Sequence, residues 1–391
     1  MTTGAKTSEP ARPPRRHTPR RITVLLPVVG LTGVALCGLL VFGLATVRVG
    51  VLAVVIGVIA AVVPVALVVA TFLWIDRWEP EPAKLLLLTF LWGACVATLM
   101  ALLINDTAAA VGDLLLGSGN GGKVSAIVSA PLAEEAVKAV PLVLIFWRRR
   151  HELDGIVDGI VYAGFSAAGF AFTENIYYFG RAFAEQGFGD DMSSGVVAAF
   201  ILRGVLSPFA HPLFTAITGI GLGYAARLRE RSLKIAVPLA AYLGAVCLHA
   251  LWNAAATLGG ASTFLNVYFL IMVPMFVAVV LLVLWQRRRE QRVIAAALPG
   301  LAAAGLIARS EVDLLADLSA RRRWRRQARR ESGRRAARAV GEYQASVSEV
   351  AFLRRKAARS GEVRAHYEEL LDVVRASRAE AVRLASGRGQ G

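Results

Sequence analysis

Ionisable and amide side chains stand where hydrocarbon should surround them: Glu134, Glu135 and Lys138; Glu174 with Asn175; His211; and His249 with Asn253. A bare charge in such a setting costs about 2.5–3.5 kcal/mol on insertion scales, so these residues must face one another or a water-filled cavity. Glu134 and Lys138 are four apart and Glu135 and Lys138 three apart. One lysine can therefore neutralise one carboxylate while the other is left for chemistry. The same four-residue spacing puts His249 and Asn253 on one helix face, and Phe170 and Glu174 on another. Carboxylates, imidazoles, an ammonium and a carboxamide form the inventory for activating water and stabilising an oxyanion.

The elements that carry these residues are apolar runs. Hydrophobic residues make up 56% of the chain and mean hydropathy is +0.55, which places it in the all-α, polytopic membrane class. Eight spans are predicted, over 22–47, 51–75, 83–104, 124–147, 154–180, 199–226, 234–258 and 263–285. They form a membrane domain over 22–285, flanked by a basic extension (1–21) and a basic, Ala/Arg-rich tail (286–391). No convincing cleavage site marks 1–21 as a signal peptide. Basic residues fall heavily on alternate loops, at Arg15–Arg21, Arg77 and Lys84, Arg148–Arg150, Arg227–Lys234 and Arg287–Arg289. The alternation predicts a multi-pass cell-membrane protein with both termini cytoplasmic. Cys37, Cys95 and Cys247 lie in apolar runs without ligand spacing and read as small buried hydrophobes.

This topology serves as a ruler. At ~1.5 Å per residue from the cytoplasmic anchors Arg148, Asp154, Arg227 and Lys234, Glu134, Glu174, His211 and His249 lie about 21, 30, 24 and 22 Å deep in a hydrocarbon core about 30 Å thick. Four helices of alternating direction bring their polar residues to a similar depth in the outer half. An ion path would instead distribute polar groups through the whole thickness.

Other motifs read differently. HELDG (His151–Gly155) begins like a zinc-protease helix but lacks the second histidine, and it sits among arginines at the cytoplasmic edge. Ser166, within GFSAAG, could pair with His211 or His249 as a nucleophilic dyad, but its small neighbours serve helix packing and the dyad leaves the glutamates without a role. DRWEPEP (Asp76–Pro82) reads as a cytoplasmic cap and turn. The tail carries 24 Lys/Arg against 12 Asp/Glu, with helical pieces over 311–331, 334–359 and 362–385, Ser310 as an N-cap, and breaks at Gly333 and Gly361. Its cluster RRRWRRQARR (Arg321–Arg330) suits anionic lipid headgroups, with Trp324 at the interface. No reading motif accompanies the charge, which argues against nucleic acid as a partner.

DRWEPEP, EEAVK (Glu134–Lys138), DGIVYAGFSAAGFAFTEN (Asp158–Asn175), HPLFTAITGIGLG (His211–Gly223) and HALWN (His249–Asn253) together resemble the PrsW family of intramembrane proteases, related to the type II CAAX prenyl endopeptidases. The resemblance covers about 50–285, and Glu174 follows the PrsW pattern where the CAAX branch has histidine. It implies cleavage of a membrane-anchored protein, such as an anti-sigma factor, near the outer membrane face. Carried over by position, Glu134 is the general base, Glu135 and Lys138 set charge and orientation, His211 and His249 hold water or a metal, and Asn253 donates to the oxyanion. His211, His249 and Glu174 form a zinc-type donor set. The competing reading is a transporter or non-catalytic protein using the same Glu/His cluster for protons or ions.

Overall fold

The computed structural model describes residues 22–357 and 361–385, so the basic segment 1–21 lies outside the described residues. All regular elements among them are helical. Helices α1 (Ile22–Val49) and α2 (Val51–Ile75) meet at Gly50, whose φ of 89° makes the sharp reversal available to glycine. Next come α3 (Ala83–Leu91) and α4 (Thr98–Leu116), then α5 (Gly121–Val124), α6 (Ala130–Arg148) and α7 (Ile156–Gln186). They are followed by α8 (Gly195–Phe200), α9 (Ala210–Ala225), α10 (Arg231–Leu258), α11 (Gly260–Val267) and α12 (Val273–Ala303). The tail holds α13 (Val312–Ala316), α14 (Leu318–Ala357) and α15 (Gly361–Ala385).

Seven described helical segments are long and apolar enough to cross a membrane. The remaining predicted span, 124–147, is also helical, through α5, a π turn over Ser125–Ser129, and α6. Its Glu134, Glu135 and Lys138 are what lower its hydropathy. Similar π turns join α3 to α4, α8 towards α9 and α11 to α12. Such wide turns are frequent at functional sites.

Helix α7 is the buried axis: 78% of its apolar window is inside the protein, against 6% for α1. It packs on α9 backbone to backbone. A Cβ on Gly219 would lie 2.1 Å from the carbonyl oxygen of Gly159, and a Cβ on Gly159 would lie 2.0 Å from that of Gly219. Only small residues allow this approach. Hydrogen bonds tie α7 to its other neighbours: Ser166 Oγ donates to the Lys138 carbonyl (2.8 Å) and Thr173 Oγ1 to the Ala94 carbonyl (2.7 Å).

The tail differs in detail from its sequence reading. Helix α12 runs without a break through the expected boundary at 285/286, because the charged stretch after Trp285 is made of good helix formers. The tail has its own core of Ile294, Leu298, Leu315, Val340, Tyr343 and Val350, and Trp78 from the DRWEPEP turn is buried in it. Trp324, expected at a lipid interface, is half-buried and packs edge-on against Tyr343 at 6.0 Å. Glu311, not Ser310, caps the start of the segment, its Oε2 accepting from the Ala308 amide at 2.7 Å. Gly333 (φ 83°) breaks α14 as expected, and Cys247 is exposed on α10 rather than buried.

Candidate active site

Five segments converge on the polar cluster. The Ser125–Ser129 π turn leads into α6, which presents Glu134, Glu135 and Lys138; α7 brings Glu174, α9 His211 and α10 His249. Lys138 is fully buried and has only donors to offer. Its Nζ donates to Glu135 Oε1 (2.8 Å), to Glu134 Oε2 (3.4 Å) and to His211 Nδ1 (3.1 Å), and it lies 4.2 Å from the Phe170 ring centre. His211 Nδ1 therefore accepts, which puts its proton on Nε2, where it donates to Glu174 Oε2 at 2.7 Å.

The two adjacent glutamates live in different surroundings. Glu135 is fully buried and saturated: Oε1 accepts from Lys138 and from His249 Nδ1 (3.0 Å), and Oε2 from Thr215 Oγ1 (2.8 Å). Among the described residues Glu134 accepts the long contact from Lys138 and one of 3.2 Å from Asn105 Nδ2. It faces a cavity of about 610 Å³ that is also lined by Glu174, Arg203, His211, His249 and Asn253. One carboxylate is thus locked and the other is loosely held at the cavity wall.

With Nδ1–H given to Glu135, His249 turns the lone pair of Nε2 toward Glu134 Oε2, 3.9 Å away. Its ring stacks on Phe214 at 4.8 Å. Asn253 lines the cavity while its Nδ2 donates to the Ala126 carbonyl at 2.8 Å, which leaves one amide hydrogen for another acceptor.

Donor atoms of Glu134, His211 and His249 lie within 4.8 Å of one another and form a potential metal-binding group. Glu174, the carboxylate expected in that set, is outside the group; it is held by His211 and by a short bond from Arg203 Nη2. The donor chemistry fits a divalent cation. His249 has the carboxylate-backed Nδ1 and open Nε2 of a metal ligand. His211 would exchange Lys138 or Glu174 for the ion, since both its nitrogens are engaged.

Arg203 and Asn105 escaped the sequence reading. Arg203 stands in the π turn before α9, donates from Nε to Asn175 Oδ1 (2.7 Å), and lies over the Tyr178 ring at 3.9 Å. Arg203, inside the predicted span 199–226, carried the same signal as the residues that were noticed, whereas Asn105 falls just past the end of the predicted span 83–104. The other motifs stay apart from the site: His151 is exposed beside Glu152, and Ser166 is fully buried with its hydroxyl on the Lys138 backbone.

Residues 81–279 match the family described as "PrsW family intramembrane metalloprotease". The protein named "Protease PrsW" of Geobacillus kaustophilus (strain HTA426) is 33% identical over 150 residues, which cover 38% of this chain and 58% of that relative. This chain thus spans less than two thirds of the relative's length. No solved structure matches.

Proposed function

The chain belongs to the PrsW family of intramembrane metalloproteases, and from that premise we propose that it is an endopeptidase cleaving a membrane-anchored protein near the outer membrane face. The observation that carries this reading is the asymmetry between Glu134 and Glu135 around Lys138. Glu135 holds Lys138, His249 and Thr215 in place and has no freedom to take part in a reaction. Glu134, at the cavity wall, takes a proton from water as the oxygen attacks the scissile carbonyl carbon, and returns it to the leaving amine as the C–N bond breaks. Asn105 orients Glu134 through the bond to Oε1. The unused amide hydrogen of Asn253 is the donor we assign to the developing oxyanion. Zinc is the metal we propose for His211 and His249, beside a Glu134 carboxylate that stays free as the base; when bound it would polarise the carbonyl and acidify water.

The substrate class we propose is a membrane-anchored signalling protein such as an anti-sigma factor. Basic residues beside the spans support both termini on the cytoplasmic side. The test compares membrane-protein fragments in native cells making wild type, Glu134→Ala, Glu135→Ala or His249→Ala at equal abundance. Fragments with new ends near the outer boundary, absent from all three variants, are the expected result. Fragment profiles unchanged by all three substitutions would sink the protease reading in favour of ion or proton handling.

A further inference from the structure

On another side of the bundle, α2, α7, α9 and α12 enclose a second crevice of about 140 Å³, which runs from Phe209, Pro212 and Leu213 beside His211 to Trp74 and Leu284. Its walls are apolar, among them Phe72, Trp74, Ile75, Leu213, Phe276 and Val280. On α12 it extends from Phe276 to Leu284, about 12 Å of helix at 1.5 Å per residue. Arg287 closes its end. The guanidinium lies 4.1 Å from the ring centre of Trp74, which itself lines the crevice, and Nη1 donates to the carbonyls of Trp74 and, at 2.7 Å, Ile75.

Beyond Arg287 the surroundings are rich in donors. Arg287 lies close enough to Arg77 and Arg322 to feel their like charge, with Glu290 offsetting part of it. Arg325 feels Arg322 and Arg77 in the same way. Arg321, on the same helix, is almost wholly buried with its guanidinium 5.1 Å from the Trp78 ring centre. Its Nε donates to the Leu315 carbonyl and its Nη1 to Ser348 Oγ and the Gln344 carbonyl, while the buried Nη2 has no partner among the described residues. Burial and the neighbouring Arg325 draw this guanidinium down to about 10. The buried Nε2 of Gln286, one residue before Arg287, is likewise without a partner among the described residues. Unsatisfied buried donors are costly, and a set of them beside clustered cations calls for an anion.

We propose that this is a binding site for an anionic phospholipid, with one acyl chain in the crevice and the phosphate against Arg77, Arg287 and Arg322. The order of the parts follows that of a lipid: hydrocarbon crevice, then Trp74, then guanidiniums. Basic pockets between membrane helices recognise headgroups by this arrangement. The site joins three segments that have little else in common, the turn at Arg77–Trp78, α12 and the tail helix α14, so an occupying lipid would also fix the tail to the membrane domain. Five arginines share the junction, and none of Arg77, Arg287, Arg321, Arg322 and Arg325 forms an ion pair among the described residues. A free phosphate would satisfy the arginines but leave the crevice without a role.

The experiment uses the full chain in phosphatidylcholine nanodiscs with phosphatidylglycerol titrated in, and native mass spectrometry to count retained lipid. The variants are Arg77→Ala/Arg322→Ala, which removes charge at surface positions, and Val280→Trp, which fills the crevice; both are checked for wild-type abundance in phosphatidylcholine alone. Phosphatidylglycerol should be retained at about one molecule per chain in preference to phosphatidylcholine. Its apparent affinity should fall about 30-fold in the arginine pair variant, at roughly fivefold per basic group, and at least about fivefold in Val280→Trp. Equal retention of the two lipids would overturn the proposal. So would displacement of phosphatidylglycerol by millimolar inorganic phosphate combined with no effect of Val280→Trp, because that pair of results assigns the site to a free anion.

Discussion

Replacing either adjacent glutamate by glutamine removes one charge from the same helix turn, yet the two losses should be read in different quantities. Glu135→Gln takes away the carboxylate that receives Lys138 at 2.8 Å, His249 at 3.0 Å and Thr215 at 2.8 Å, all buried. Removing one partner of such a pair costs about 3–5 kcal/mol because the other charge stays buried. Glu134 remains within 3.4 Å of Lys138 and offsets part of that, so about 3 kcal/mol is expected. Glu134→Gln breaks only contacts of 3.2 and 3.4 Å, for about 1 kcal/mol. It also removes the proposed base, so cleavage should fall by about 10²–10⁴-fold. The assay is thermal unfolding in detergent alongside cleavage of the substrate identified by fragment comparison, with both variants at matched concentration. The reasoning fails if Glu134→Gln keeps substantial cleavage, or if it unfolds as readily as Glu135→Gln.

Three further outcomes follow from the geometry. Arg203→Ala frees Glu174 and, through it, His211, and should lower turnover about 10²-fold, with Arg203→Lys recovering part of the loss; equal damage from both would show that positive charge alone does not suffice. Zinc content measured after purification should approach one per chain in the wild type and fall in His249→Ala, and a strong chelator should remove cleavage and zinc together. Glu81 lies in the turn between spans, where burial and the charge of Asp158 push it up to about 10 from an ordinary 4.5, against the opposing bond from Tyr162. The folded state keeps a proton that the unfolded chain has released, so stability present below pH 4.5 is lost as pH rises towards 10. Glu81→Gln should therefore raise the unfolding free energy at pH 7–8 by about 2 kcal/mol after allowance for partial exposure, and leave it unchanged at pH 4.

What could be read from the sequence was what depends on local spacing. Apolar runs gave the spans, and the three- and four-residue steps from Glu134 and Glu135 to Lys138 gave the ion pairs, because a helix fixes those distances by itself. Which glutamate would be locked was not readable from spacing, and the assignment of Glu134 as base came from the family resemblance alone. The locking depends on Thr215 and His249, 80 and 114 residues further along the chain. The same holds for Trp78 and Trp324, whose surroundings are set by the tail's fold and not by the charges beside them in sequence. Arg203 and Asn105 are a different case: Arg203 broke a predicted span in plain view, whereas Asn105 lies just past the end of one, beside Asp106, where a polar residue needs no explanation.

Helix α7 explains why a site made of such distant residues can hold its geometry. It meets α9 at Gly159 and Gly219 with no side chain between the backbones, so the two helices cannot slide without a clash. Glu174 and His211 sit farther along this pair and meet at 2.7 Å. The other end of α7 is tied to the turn after α2, Tyr162 donating to Glu81 Oε2 at 2.5 Å, while Trp78 of that turn is buried in the core of the tail. A rigid helix anchored at one end to the tail and carrying the Glu174 carboxylate at the other makes the spacing of the cluster a property of the whole bundle. It follows that substitutions in the packing of α7, far from any reacting atom, should act on turnover through the position of His211, and that the charge cluster alone would not suffice to build the site on a looser helix pair.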